Sequence, residues 1–421
     1  MKFVTQFKFT VGAILSLVLL ASAHAQTNEI SRDERWREDV RFYSAELSKR
    51  HKNLFFQLSK DEFEREVKNL EARIPRLSDG RIALELMRIT ARVGDGHTNL
   101  FTPPSGMTFF PLRLERFKEG WFVAQTTDEY KQALGARLVR IGDVKLEEVA
   151  QRLKELIPAD NELDRRSRLR YFFIWSGVLQ AEGILPQGET GRFTFLDRNG
   201  KQLTLDVRPI PPEQFLKSQL RDLSDVGSAP LSAKNAQSNY WFEYLPDART
   251  LYLAYNQCAN DANKPFMDFV KELFAVVDAQ STERFVVDLR RNGGGNSAVI
   301  KSLYDELKKR PRLIDKGKLF VLVSNATFSS AFMYMLEMRD RMNAILVGEP
   351  SGQKPNAYGE VRRFQLPHSK IEVQYSTKFW ELMKDSDSPY LPVDIHVEPT
   401  FADYTQGRDA VLQAALGYKA K

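Results

Sequence analysis

Cysteine is almost missing. Cys258 stands alone in 421 residues, which excludes an intramolecular disulfide. Its place just after the apolar run Leu251-Tyr252-Leu253-Ala254-Tyr255 predicts a buried thiol rather than a nucleophile. No apolar run reaches the ~20 residues that a bilayer-spanning helix needs. Charge of one sign is lacking too: 61 Lys and Arg face 55 Asp and Glu, a dispersed net +6 that argues against nucleic acid as a partner. Internal repeats and low-complexity segments are absent, and no pattern calls for a metal or cofactor.

Apolar material is plentiful by contrast. At 43% hydrophobic with 28 Phe, the chain can bury a large core, and its length suggests two or three domains. It opens with Met1-Lys2, a second lysine at Lys8, an apolar stretch over 9–21 and then Ala23-His24-Ala25. A charged start, a short apolar centre and an A-x-A site describe a secretory signal peptide over 1–25, cut after Ala25. No cysteine lies near the cut to carry a lipid. The expectation is an exported protein, periplasmic or secreted, with no stable membrane insertion after cleavage. Losing Lys2 and Lys8 leaves 59 basic side chains against 55 acidic ones, or +4.

Residues 26–105 read as an N-terminal helical region, with Trp36, Val40, Leu47, Leu70, Ile74, Leu84, Leu86 and Ile89 as apolar points, up to Pro103-Pro104-Ser105-Gly106. Alternating runs such as Trp121-Phe122-Val123-Ala124 and Phe193-Thr194-Phe195-Leu196 predict a β-rich module over 106–212, with a helix over 144–156 and a hairpin turn at Asp197-Arg198-Asn199-Gly200-Lys201. The polar stretch 213–237 reads as a linker. Over 238–421 the pattern alternates. Strands are expected over 250–255, 284–289, 318–323 and 344–347, and helices over 266–277, 298–308 and 329–340. That is the signature of an α/β domain.

Four places carry chemistry. Thr327-Phe328-Ser329-Ser330-Ala331 follows the buried strand Leu319-Phe320-Val321-Leu322-Val323 and opens a helix. A serine there is either a helix N-cap or a hydroxyl presented on a sharp turn beside free N–H groups. Arg290-Arg291-Asn292-Gly293-Gly294-Gly295-Asn296 is a glycine loop without nucleotide-loop spacing. It is either a tight strand–helix turn or a donor of N–H groups to a developing oxyanion. After signal removal four histidines remain, His51, His97, His368 and His396. His97 sits in Val93-Gly94-Asp95-Gly96-His97-Thr98, either a solvated turn residue or a base. Lys354, 25 positions after Ser329, is a loop lysine that becomes a base only if desolvated.

Taken together these segments resemble the tail-specific (C-terminal-processing) protease superfamily, with its tricorn-core and retinoid-binding branches. Asp288-Leu289-Arg290 with Asn292, Gly294 and Gly295 resembles D-L-R-x-N-x-G-G. Gly348-Glu349-Pro350 resembles G-E-P-T, Asp95-Gly96-His97-Thr98 resembles D-G-H-T, and 135–143 resembles the core of an inserted PDZ-like module. Pro392-Val393-Asp394-Ile395 and Gly407-Arg408-Asp409-Ala410 resemble the C-terminal end. The resemblance implies a ClpP/crotonase-like α/β core with an N-terminal helical region and a β-rich PDZ-like insert. It implies a serine peptidase acting on polypeptides, with Ser329 as nucleophile and the N–H groups of Gly294 or Gly295 and of Ser330 as oxyanion donors. Ser330 is the alternative nucleophile. The lysine-dependent branch places G-K-G before a glutamine, whereas here Pro355 follows Lys354 and Tyr358 takes the glutamine's place. His97 is therefore the favoured base and Lys354 the alternative, and an unperturbed imidazole predicts activity rising through roughly pH 6–7. Candidates for the acid that completes the site are Glu360, Glu381, Asp385 and Asp387. Gly359-Glu360 and Ser376-Thr377-Lys378-Phe379-Trp380 resemble a subfamily signature near the cleft. A non-catalytic binding protein on the same fold is the competing reading.

Overall fold

A computed structural model describes residues 30–100 and 108–419. The signal-peptide expectation and the Pro-Pro-Ser-Gly boundary lie outside the described residues.

The N-terminal region consists of α1 (Arg32–Arg50), α2 (Lys60–Arg73) and α3 (Asp79–Arg92), followed by the short strand β1 (Asn99–Leu100). Serines start all three helices. Ser31, Ser59 and Ser78 accept the N–H of Glu34, Glu62 and Arg81, and Glu62 reaches back to Ser59 to complete a capping box. The apolar faces, among them Val40, Leu47, Phe63, Leu70 and Ile82, close on Leu366, Ile371, Val373 and Tyr375 from far down the chain.

The β-rich module contains β2 (Leu112–Phe117), β3 (Gly120–Thr127), β4 (Arg137–Ile141), β5 (Val144–Lys145), α4 (Leu146–Lys154), α5 (Glu162–Phe172), α6 (Ser176–Ala181), β6 (Gly191–Leu196) and β7 (Gln202–Val207). Its antiparallel sheet runs β2-β3-β4-β6-β7, and the expected turn at 197–201 closes β6 onto β7 through Asp197 N–H to Lys201 O at 2.9 Å. The polar stretch expected as a linker is not featureless. It carries α7 (Pro212–Lys217) and β8 (Leu220–Asp222), and β8 pairs with β3. Backbone pairing needs no apolar side chain, so polarity alone hid the strand.

The α/β domain follows with β9 (Tyr240–Leu245), β10 (Thr250–Tyr255), α8 (Phe266–Ala279), β11 (Arg284–Asp288), α9 (Lys301–Lys308), β12 (Leu319–Val323), α10 (Ser330–Met342) and β13 (Ile345–Gly348). Next come β14 (Asn356–Gln365), β15 (Glu372–Glu381), β16 (Ile395–His396), α11 (Phe401–Thr405) and α12 (Ala410–Leu416). The six-stranded sheet is ordered β16-β13-β12-β11-β10-β9, parallel except for β9. One face buries Leu251, Leu253, Phe285, Val287 and Val321 under α8, α9 and α10, and the other buries Tyr252, Val286, Phe320 and Leu322 under α12. Covering both faces explains why β12 is apolar at every position. Each fully buried side chain of this kind is worth roughly 1.5–3 kcal/mol. The helix expected over 298–308 begins only at Lys301, because the glycine loop holds the chain up to that point.

The hairpin β14–β15 is the element that joins the regions. Its β15 pairs antiparallel with β1, Asn99 opposite Gln374 and Leu100 opposite Val373, so the segment just past His97 is sewn to a strand of the C-terminal half.

Candidate active site

Strand β12 delivers the chain to a turn at Thr327-Phe328-Ser329. Ser329 adopts φ 55° and ψ −127°, a left-handed conformation that favours glycine, and its side chain makes no cap bond to α10. The helix-cap alternative for this serine is therefore not what is seen. A non-glycine residue held in such strain marks a site whose surroundings over-determine it. Those surroundings are visible. Thr327 donates its hydroxyl to the Leu289 carbonyl at 2.9 Å, Ser351 donates to the Thr327 carbonyl at 2.6 Å, and the Ser329 N–H is taken by the Gln353 side chain.

The glycine loop packs directly on this turn. At Gly294, φ is 105° and an added Cβ would lie 2.5 Å from Ser329 Cβ, so only glycine fits. Asn292 is fully buried and shapes the loop, donating to the Tyr255 carbonyl at 2.7 Å and accepting the Gly294 N–H at 2.9 Å. The Gly294 N–H is thus engaged. Among the described residues no acceptor takes the N–H of Gly295 in the loop or of Ser330 at the start of α10; the loop's Arg291 and Gly293 N–H groups are likewise unengaged. Ser330 is not poised as a nucleophile, since its buried hydroxyl donates to the Gly295 carbonyl at 2.7 Å and ties helix to loop. Cys258 is buried as expected. Its backbone brackets the loop through Gly294 and Asn296, and burial pushes its thiol up to about 12.

His97 comes from the other end of the chain. Its ring lies 4.6 Å from that of Phe328, the residue before Ser329, and the residue is only 9% exposed. Burial pushes the imidazole down to about 4, with the Arg168 charge acting the same way against the pull of Asp95 and the Tyr358 carbonyl. The ring is neutral at pH 7 and able to accept a proton. Its Nδ1 is buried without a partner and lies 4.0 Å from Asp95 Oδ1. Arg168 stands 5.2 Å over Phe328, so this phenyl ring contacts both the imidazole and a guanidinium.

Sequence reasoning missed the support beneath His97. Asp95 is buried and accepts the His97 N–H at 2.8 Å through Oδ1, while Oδ2 accepts from His51, Thr98 and Ser376 at 3.0, 2.5 and 2.6 Å. Burial alone would raise this carboxyl; the bond from His51, nearby His97 and the two hydroxyls hold it at about 2. His51 Nδ1 accepts the Asn53 N–H at 3.1 Å, which leaves Nε2 to carry the proton given to Asp95. Gln374 donates to the His97 carbonyl at 2.8 Å. The Ser376 of the signature stretch thus has a place in the site. A usable signal was the polar Gln374 and Ser376 set among apolar neighbours on one strand.

The remaining candidates are not brought together with these. Glu360, Glu381, Asp385 and Asp387 are all exposed, and among the described residues none bonds His97. Lys354 is half-buried on the loop before β14 and engages no hydrogen bond or ion pair there; its neighbour Gln353 meets Ser329 instead.

No protein-family profile and no curated sequence matches the chain. Its architecture is nonetheless shared with solved structures: an α/β domain joined to an N-terminal helical region and an inserted β-rich module is the fold of mature CPAF. Among solved structures, the chain is similar to mature CPAF complexed with lactacystin, with a TM-score of 0.65 at 12% identity over 91% of this chain and 98% of that one. Mature CPAF alone gives 0.63 at 12% over 91% and 96%. A looser likeness, 0.44 at 13% over 92% of this chain and 36% of that one, is to the tricorn protease.

Proposed function

We propose that the protein is an exported serine-type peptidase acting on polypeptides, with Ser329 as nucleophile and His97 as general base. One observation carries this reading: a strained, uncapped serine follows Phe328, whose ring packs against a buried neutral imidazole, and the N–H groups of Ser330 and of Gly295 nearby are unengaged. Ser329 Oγ attacks the peptide carbonyl while its proton passes to His97, and the charge on the carbonyl oxygen falls to Gly295 and Ser330. His97 returns the proton to the leaving amine, and water then releases the acyl group by the same route. Asp95 takes the part of the orienting acid, since a shift of about 1 Å converts its approach to Nδ1 into a hydrogen bond. The inserted module receives an extended substrate segment.

A serine-reactive fluorophosphonate applied to the mature protein is expected to leave its adduct on Ser329, and Ser329→Ala to lose both labelling and hydrolysis. Lactacystin, bound in the CPAF structure, serves as a second probe. His97→Ala is expected to lose on the order of 10²–10⁴-fold in rate and Lys354→Ala far less. An inactive Lys354→Ala beside a near-normal His97→Ala transfers the base to Lys354. Mass spectrometry of the exported chain is expected to find Gln26 at the N-terminus, and an intact Met1 overturns the export reading.

A further inference from the structure

A cavity of about 140 Å³ opens where the inserted module meets the α/β domain, and neither Ser329 nor His97 lines it. Its walls come from β2 and β3, from α5, from the loops after β11, β12 and β13, and from the C-terminal segment. Six arginines line it against four carboxylates, Glu115, Asp288, Glu349 and Asp409.

The close pairings do not use up the cations. Arg290 lies between Asp288 and Asp409 at 2.6 and 2.8 Å, Arg408 is held by Asp403 at 2.6 Å, and Arg116 is held by Glu398 at 2.8 Å. Three arginines remain. Arg166 donates to the Asn325 amide oxygen at 2.7 Å and Arg170 to the Ser167 hydroxyl at 3.1 Å, neutral partners both; Arg166 reaches Glu349 only at 3.6 Å, Arg170 reaches Glu115 only at 4.0 Å, and Arg291 has no carboxylate partner among the described residues. Arg166 and Arg170 stand four apart on one face of α5, where like charges repel. Each also buries an Nε–H that finds no acceptor among the described residues. A desolvated guanidinium donor left open is costly, and a planar guanidinium fork matches the oxygens of a carboxylate or phosphate. Glu349 does not supply the missing charge in full, being shared at 3.6 Å with both Arg116 and Arg166.

We propose that this cavity binds a small oxyanion ligand, a compound presenting a phosphate or carboxylate group to Arg166 and Arg170. The bound group bridges the inserted module and the α/β domain. Its seat lies against Arg291 and Ala326, three residues or fewer before Gly294 and Ser329 in the chain.

Isothermal titration of the full mature chain with inorganic phosphate and, separately, with succinate tests this. Saturable binding of at least one probe is expected, and the tighter of the two identifies the oxyanion class. Arg166→Gln and Arg170→Gln are each expected to weaken it at least tenfold, and Arg166→Lys also, because the fork is lost while the charge stays. Arg152→Gln, on the exposed face of α4, is the unchanged control. In the wild-type protein, the arginine Nε–H signals assigned to Arg166 and Arg170 are expected to shift on titration, a readout that needs no variant to fold. No saturable binding of either probe, or unshifted signals, overturns the proposal. Ser329→Ala protein is expected to bind equally, so this result and the peptidase reading stand or fall separately.

Discussion

An imidazole in water takes up a proton near pH ~6.5. That of His97 does so at about 4, because burial and then Arg168 outweigh Asp95 and the Tyr358 carbonyl. The free enzyme is therefore expected to gain kcat/KM on the acid side around pH 4, below the pH 6–7 that an unperturbed histidine implies, and a pH–rate series on a short peptide measures it. Stability follows with a definite sign. The folded imidazole binds its proton less readily than the unfolded one, so the contribution is complete above pH ~6.5 and is lost as pH falls toward 4. A depression of this size amounts to on the order of 3 kcal/mol. Asp95, held at about 2, adds a second loss at lower pH. Guanidinium midpoints recorded from pH 2 to 8 are expected to fall through both windows, and His97→Gln to flatten the upper one. At this same scale Ser329 was legible only as an alternative between cap and nucleophile. Its φ of 55° removes the ambiguity, and no residue type announces a φ.

The elements that hold the site are α5, which was not read as part of it, and β15, of which only the stretch 376–380 and Glu381 were placed near the cleft. The loop before α5 buries Asp160, whose Oδ1 accepts the Gly96 N–H at 2.7 Å while Oδ2 has no partner. Burial first, then the charges of Asp95 and Asp164, push this carboxyl well above the usual range. Its folded form therefore holds a proton more readily than the unfolded chain, and the stability this brings is full at acid pH and lost as pH rises. Asp160→Asn keeps the acceptor and carries no charge, so its Tm is expected to come nearest to wild type at pH 4 and to exceed it clearly at pH 8. Asp160→Ala orphans the Gly96 N–H and is expected to cost about 1–3 kcal/mol. Thermal unfolding at the two pH values distinguishes them; an Asn variant less stable than wild type at pH 8 refutes the account. That β15 is a strand was not legible, because its inward side chains include Gln374 and Ser376, which break the apolar alternation that marks a half-buried strand.

For the whole molecule, closure of the α/β domain depends on Arg290, which follows β11 and reaches Asp409 at the start of α12. Asp409 is held at about 2: burial opposes this, and Arg290 with the Leu412 N–H more than compensates. Arg290→Met strands Asp288 and Asp409 together without a cation, and a loss of about 3–5 kcal/mol is expected in the guanidinium unfolding free energy. A change within 1 kcal/mol shows the bridge to be dispensable.

Local pattern alone determined much of this protein. Burial on both faces requires the unbroken apolar runs of β10, β11 and β12, and the spacing of those runs already implies a parallel sheet with helices between. Glycine at 294 and serine at 329 were legible as candidates for chemistry, each beside a plain structural alternative, a tight turn and a helix cap. What only the tertiary structure decided is who meets whom. His97 and Phe328 are 231 positions apart and touch because β1 pairs with β15. His51, Asp95 and Ser376 share one buried carboxylate although they span 325 positions. Contacts of that range are set by how the sheets pack and not by any local preference; Asp95 lies only two positions before His97, yet its burial and its partners His51 and Ser376 come from that packing.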